Sequence, residues 1–203
     1  MTAEMSPETT WFRNPYEGYA GTLNLCFNAL DRQVIRGKAA EIALYDGERT
    51  IAYAGMLEQV SALAGVLGTV GVGIGDGVEL HLADPVDQVL MTLAVSRIGA
   101  VLGAPEPRLV ATSEADVGVD APLRLLRGVE VTDERRELAW EHAVKAGREG
   151  PAACVELPGT AAAFVVGVRV VEVKDGLADV SVPARIHAIL ASGRPLDVRR
   201  DLA

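Results

Sequence analysis

Apolar positions along this chain switch between helical and strand spacing, and the switches lay out most of its elements. After Gly21, Leu23, Phe27, Leu30 and Val34 return at spacings of three and four, which predicts a helix stopped by Gly37. Asn24, Asn28 and Asp31 line another face of that helix. Ile42–Tyr45 and Arg49–Tyr53 read as two strands joined through the turn signal Asp46-Gly47, a hairpin. A helix from about Gly55 to Thr69 follows, with Val60, Leu63, Ala64 and Leu67 turned inward. Glycines at 71, 73, 75 and 77 punctuate the loop before a strand over Val78–Ala83. Pro85 suits the first turn of a helix whose buried stripe is Val86, Val89, Leu90 and Leu93. Gly99 ends that helix, and Ala100–Ala104 is the next strand. This strand–helix–strand unit implies a parallel pair with a right-handed crossover.

The pattern is less regular after Pro105 and Pro107. Leu109–Thr112 reads as a short strand, and residues 113–132 carry no clear period. Asp133 is placed to cap a helix from about Glu134 to Ala146. Cys154–Leu157, Ala161–Val173 and Ala178–Val182 read as strands, with turns at Pro158-Gly159 and Asp175-Gly176. Pro183 opens a last helix through Leu190, and residues 192–203 read as a charged tail. Residues 1–10 are polar and expected to be loose, and no internal repeat is visible. The expected architecture is α/β: a mostly parallel central sheet flanked by helices, with an added C-terminal β-rich region. It forms one domain over 1–203, with 11–104 and 105–203 as a subdivision.

Composition narrows the function classes. The chain has 203 residues, 49% of them hydrophobic, enough for a real core. Aromatics are only 4%, so that core rests on Ala, Val, Leu and Ile. A formal charge of −9 disfavours a pervasive nucleic-acid interface. The start of the chain lacks the charged-then-apolar run of a secretion signal, and Gly, Arg or Glu breaks every long apolar stretch. A cytoplasmic protein without a membrane span is expected. Cys26 and Cys154 are too few for a disulfide scaffold and sit among apolar residues, as buried free thiols do.

Several ordered segments resemble one family. Trp11-Phe12, followed by Gly21-Thr-Leu-Asn-Leu-Cys-Phe-Asn-Ala-Leu-Asp-Arg32, resembles the N-terminal signature of acetyl- and propionyl-CoA synthetases. The hairpin and helix of Ile42–Leu44, Thr50–Tyr53 and Leu57–Leu67 are similar to the family's next element. Gly71-Val-Gly-Ile-Gly-Asp76 and Ala94-Val-Ser-Arg-Ile-Gly-Ala-Val101 look like its loop before a sheet strand and its helix-end pattern. The resemblance spans about 90 residues and decays beyond Val101. It implies a shortened, diverged N-terminal portion of the acyl-adenylate-forming, AMP-binding enzymes. In those enzymes a Thr/Ser/Gly-rich loop ending near a Lys follows a strand and presents backbone donors to ATP phosphates. Here the strand around Thr160–Val166 continues instead as Gly167-Val-Arg-Val-Val-Glu-Val173, with Arg169 a basic residue near that position. The family's remaining adenylate-binding domain and its mobile C-terminal domain with a catalytic Lys find no counterpart in the chain.

The candidate contact residues are Asn24, Asn28, Asp31 and Arg32, expected on the surface of the first helix, and Arg169. Arg32 is positioned to meet a phosphate or an adjacent chain; capping and internal salt bridging are the plainer roles. His81, His142 and His187 are scattered, and with the two cysteines they show no compact metal-ligand motif, so no metal is expected. The glycines of 71–77 lack the strand–turn–helix setting of a dinucleotide fingerprint and read as turn geometry. Asp84 and Asp87 fit the amino end of a helix. Ser61, Ser96 and Ser113 lack a nucleophile-elbow setting. No catalytic residue is assigned. The expected function is a non-catalytic synthetase-like protein, a pseudoenzyme assembling with a second copy or with a full-length acyl-CoA synthetase-like protein. The alternative is a module binding an acyl group, CoA or an adenine nucleotide, or a subunit of a split synthetase. No cofactor is required, with ATP or CoA as the ligands the resemblance allows.

Overall fold

The computed structural model describes residues 11–202 apart from 15, 18 and 20; the polar segment 1–10 lies outside the described residues. The chain builds two sheets around helices. Strands β1 (Ile42–Asp46) and β2 (Arg49–Ala52) form the expected hairpin, and β10 (Leu196–Asp197) adds in parallel to β1. The larger sheet has seven strands: β3 (Gly77–His81), β4 (Val101–Leu102), β5 (Leu109–Thr112), β6 (Leu123–Leu126), β7 (Glu137–Ala139), β8 (Ala162–Val166) and β9 (Arg169–Glu172). Their spatial order is β7-β6-β5-β3-β4-β8-β9. Every neighbour pair is parallel except β8–β9. All four residues of β5 are buried, as a strand covered on both sides demands.

Five α-helices accompany the sheets: α1 (Tyr53–Thr69), α2 (Pro85–Arg97), α3 (Trp140–Gly147), α4 (Val182–Ala191) and the short α5 (Val198–Asp201). Asp84 caps α2 by accepting from the Val86 amide at 2.7 Å, ahead of the Pro85 that needs no donor. Helix α1 packs on both α2 and α3. Its Gly65 faces the end of α3: a Cβ there would lie 2.2 Å from the Gly150 carbonyl oxygen. In return, a Cβ on Gly147 would lie 2.1 Å from the Ala62 carbonyl oxygen. The missing side chains set the approach of these two helices. One contiguous apolar core results, with Tyr53, Met56, Leu63 and Leu67 of α1, Met91 and Leu93 of α2, and Phe164 of β8 among its fully buried side chains.

Departures from the sequence reading cluster after Leu123. Residues 113–132 contain β6, whose Leu125 and Leu126 are buried but too few to show a period. The helix expected from Glu134 begins only at Trp140, because Glu137–Ala139 pairs in parallel with β6. Cys154–Leu157 is not a strand; only Leu157 bridges, antiparallel to Leu23. Ala161–Val173 is not one strand but the β8–β9 hairpin, folded back at Gly167. Ala178–Val182 is not a strand either, and α4 starts at Val182. The tail holds β10 and α5, the latter capped by the Asp197 carboxylate on the Arg199 and Arg200 amides.

Candidate functional site

The N-terminal helix is wound more loosely than an α-helix. Its residues form two π-helical turns, Phe27–Asp31 and Val34–Lys38, with Gly37 at φ +88° where the helix breaks. Wider turns move the inward face, and this corrects the expectation that Asn24 and Asn28 lie on the surface. Both are completely buried. The Asn24 side-chain amide donates to the carbonyls of Ser96 at 3.2 Å, Arg97 at 3.1 Å and Val155 at 2.9 Å, while its oxygen accepts from the Phe27 amide. Asn28 donates to the Asn24 carbonyl at 2.9 Å. These amides add side-chain donors to carbonyls at the end of α2 and along an irregular segment, tying the first helix to both.

Asp31 belongs to the same clasp. Its carboxylate accepts two hydrogen bonds from Arg97, at 2.7 and 3.1 Å, and the Arg97 Nε donates to the Ala152 carbonyl at 2.7 Å. The same guanidinium reaches Cys154 Sγ at 3.0 Å and Cys26 Sγ at 3.6 Å. Burial works against the Arg97 charge, but Asp31 and the two sulfurs more than offset it and hold its pKa above the ordinary value. The neighbouring Cys26, burial and the nearby Asp31 together push the Cys154 thiol well up, so it stays protonated. Cys26, Asp31 and Cys154 place their ligand-type atoms within 4.8 Å of one another, a grouping their sequence separation conceals. The Arg97 guanidinium already bonds all three, and its positive charge opposes a cation in the same space. The cluster is a structural lock joining the first helix, α2 and the 152–155 segment. Sequence reading missed Arg97; the signal able to find it is the lone charge in Ala94–Val101, at the end of a helix apolar enough to be buried.

Arg32 is half-buried and donates to the Asn28 side chain at 3.4 Å. Burial, and then Arg36, lower its pKa. Arg169 opens β9 and is ion-paired with Asp179 in the loop before α4. Asp179, which also accepts from the Ser181 amide and hydroxyl, is held below the usual carboxylate range by these contacts. The structure therefore brings Asn24, Asn28 and Asp31 together, with Arg32 alongside, and leaves Arg169 in a separate place on the sheet's far edge.

That second place lies at the carboxyl ends of the parallel strands, where ligands of open α/β sheets bind. Val166 pairs with Arg169, so β8 turns into β9 through two residues only, Gly167 at φ +61° and the fully exposed Val168. Beside this turn is a cleft of about 480 Å³ between α2, α4 and the ends of β3, β4 and β8.

Known proteins share this construction. The mitochondrial acyl-CoA synthetase short-chain family member 3 of Bos taurus is 42% identical over 102 residues, 47% of this chain and 14% of that protein. Acetyl-coenzyme A synthetase 1 of Candida albicans is 34% identical over 121 residues, 57% of this chain and 17% of that protein. An acyl-CoA synthetase of Brucella canis has the same fold, with a TM-score of 0.64 over 87% of this chain and 43% of that chain, at 15% identity. No family model matches the chain. The fold and the matched half together define a protein of the acyl-CoA synthetase-like class. Over about half its length the chain is similar to acyl-CoA synthetases, and it spans less than a fifth of the length of these curated relatives. Among the described residues, no helix is long and apolar enough to cross a membrane.

Proposed function

We propose that this chain is a non-catalytic acyl-CoA synthetase-like protein that acts as a structural, regulatory or assembly partner in the cytoplasm. Its partner is a second copy or a full-length acyl-CoA synthetase-like protein. The observation that carries this reading is the two-residue turn between β8 and β9. The resembled enzymes place a donor-rich phosphate loop after the corresponding strand, and such a nest needs several successive amides free to face one anion. Gly167 and Val168 are too few for that, and the guanidinium of Arg169 is engaged by Asp179. The Asn24–Asp31–Arg97 clasp supports the same reading, because the segments most like the synthetases are occupied in holding the fold together.

Assembly has its own support. β9 ends the large sheet, and Val168 and Val170 stand exposed along it. A sheet edge bearing apolar side chains is a ready template for another strand. Light scattering across a wide concentration range tests this reading: mass rising above that of one chain is the expected result, reversed by Val170→Lys. A monomer at every concentration, alone and mixed with a full-length synthetase, contradicts it.

A further inference from the structure

The geometry points to the cleft between α2 and α4 as a binding site for a small aliphatic amine rather than for a phosphate or carboxylate. Its volume, about 480 Å³, is that of a small-molecule site. The walls are mostly apolar, with Leu80, Leu102, Val166 and Ile186 among them. The one charged side chain among the lining residues is acidic. Glu79 contributes a carboxylate, of which one oxygen meets His81 at 2.8 Å. Gln88 donates one amide N–H to the Leu82 carbonyl at 2.6 Å, leaving its oxygen and its second N–H open. Thr92 is 3% exposed, lines the cleft, and its hydroxyl makes no hydrogen bond among the described residues. Ser181 also lines the cleft, with its hydroxyl beside the Asp179 carboxylate.

No Lys, Arg or His side chain is among the residues lining the cleft. The ligand that best complements one carboxylate, an amide oxygen and the Thr92 hydroxyl is a donor carrying positive charge. A primary ammonium supplies up to three donors, and an alkyl stem covers the valine and leucine walls. An acyl carboxylate or a nucleotide phosphate would meet Glu79 with no cation in the lining to offset it. The site is independent of the assembly role proposed above.

The test is titration of the isotope-labelled full chain, followed by amide NMR, with hexylamine, hexan-1-ol, hexanoate and pyrophosphate. Hexylamine should move the amides of 88, 92, 165–167 and 181–184 and bind about tenfold tighter than hexanoate, a difference of about 1.4 kcal/mol. Glu79→Gln should erase the preference for the amine over the alcohol, while the surface control Glu106→Gln should keep it. Val166→Trp, which fills the cleft, should abolish binding of both. Hexanoate or pyrophosphate binding as tightly as the amine, an amine preference surviving Glu79→Gln, or no binding by hexylamine would each overturn the proposal. A lysine side chain carries the same ammonium, so Nα-acetyl-lysine methylamide is the fifth probe; tighter binding to it than to hexylamine would overturn the small-molecule assignment.

Discussion

Arg97 and His187 show how single side chains set the stability of this molecule. The Arg97 side chain is 6% exposed and its charge is answered by Asp31. Replacing Asp31 with Ala strands that charge, and breaking a buried pair from one side is costly, about 3 kcal/mol or more. Urea unfolding at neutral pH should record this loss. The double change Asp31→Leu with Arg97→Met should recover much of it, because no charge is then left buried. His187 lies fully buried in α4, its ring on Phe164 and its Nδ1 against the Pro183 carbonyl at 2.7 Å. Burial drives its pKa down to about 4 from an ordinary value of 6.5, against the smaller upward pull of that carbonyl. Between these values the unfolded chain binds the proton and the folded one does not. Its contribution is therefore intact above pH 6.5 and is lost as the pH falls toward 4, roughly 3 kcal/mol in all. Unfolding midpoints at pH 7.5 and pH 4.5 should differ more for the native chain than for His187→Phe.

At the scale of elements, glycine positions separate what must pack from what must turn. Gly147→Ala puts a methyl into the Ala62 carbonyl and should destabilise the α1–α3 contact by about 1–3 kcal/mol. Gly68→Ala, on α1 but with nothing within 4 Å of the added Cβ, should leave the melting temperature unchanged or raise it. The regular elements were legible where periodicity was long: α1, α2 and the β1–β2 hairpin lie within two residues of their expected bounds. β6 and β7 were not: Leu-Arg-Leu-Leu and Glu-Leu-Ala each carry a charge among few apolar residues, unlike the Leu-Val-Ala-Thr of β5. β8 and β9 merged into one expected strand because Gly167 is the sole turn-forming residue in a stretch rich in Val and Ala. Of the candidate residues, sequence placed Asn24, Asn28 and Asp31 on one face correctly as neighbours. It missed that the face turns inward, because π-helical winding leaves no mark in a 3.6-residue count. Cys26 and Cys154 meet only through tertiary packing, across 123 residues from Asp31 to Cys154.

The whole molecule shares the fold of a longer acyl-CoA synthetase. Its strand order, clasp and core are those of a well-packed α/β sheet protein, and its cleft lies at the carboxyl edge of the large sheet. There β8 reverses in two residues, and the adjoining cleft presents acceptors and apolar walls. With a formal charge of −9 the molecule as a whole also repels polyanions, so weak nucleotide association should weaken further at low salt. Isothermal titration with Mg-free ATP in low and physiological salt should show no saturable heat in either. The central claim is that this chain lacks a cradle for the ATP phosphates. ATP–pyrophosphate exchange by the purified chain, with acetate, propionate and butyrate offered in turn, tests it most directly. The account predicts exchange at background with every acid; exchange above background that is dependent on the acid and retained after Arg169→Ala would contradict it outright.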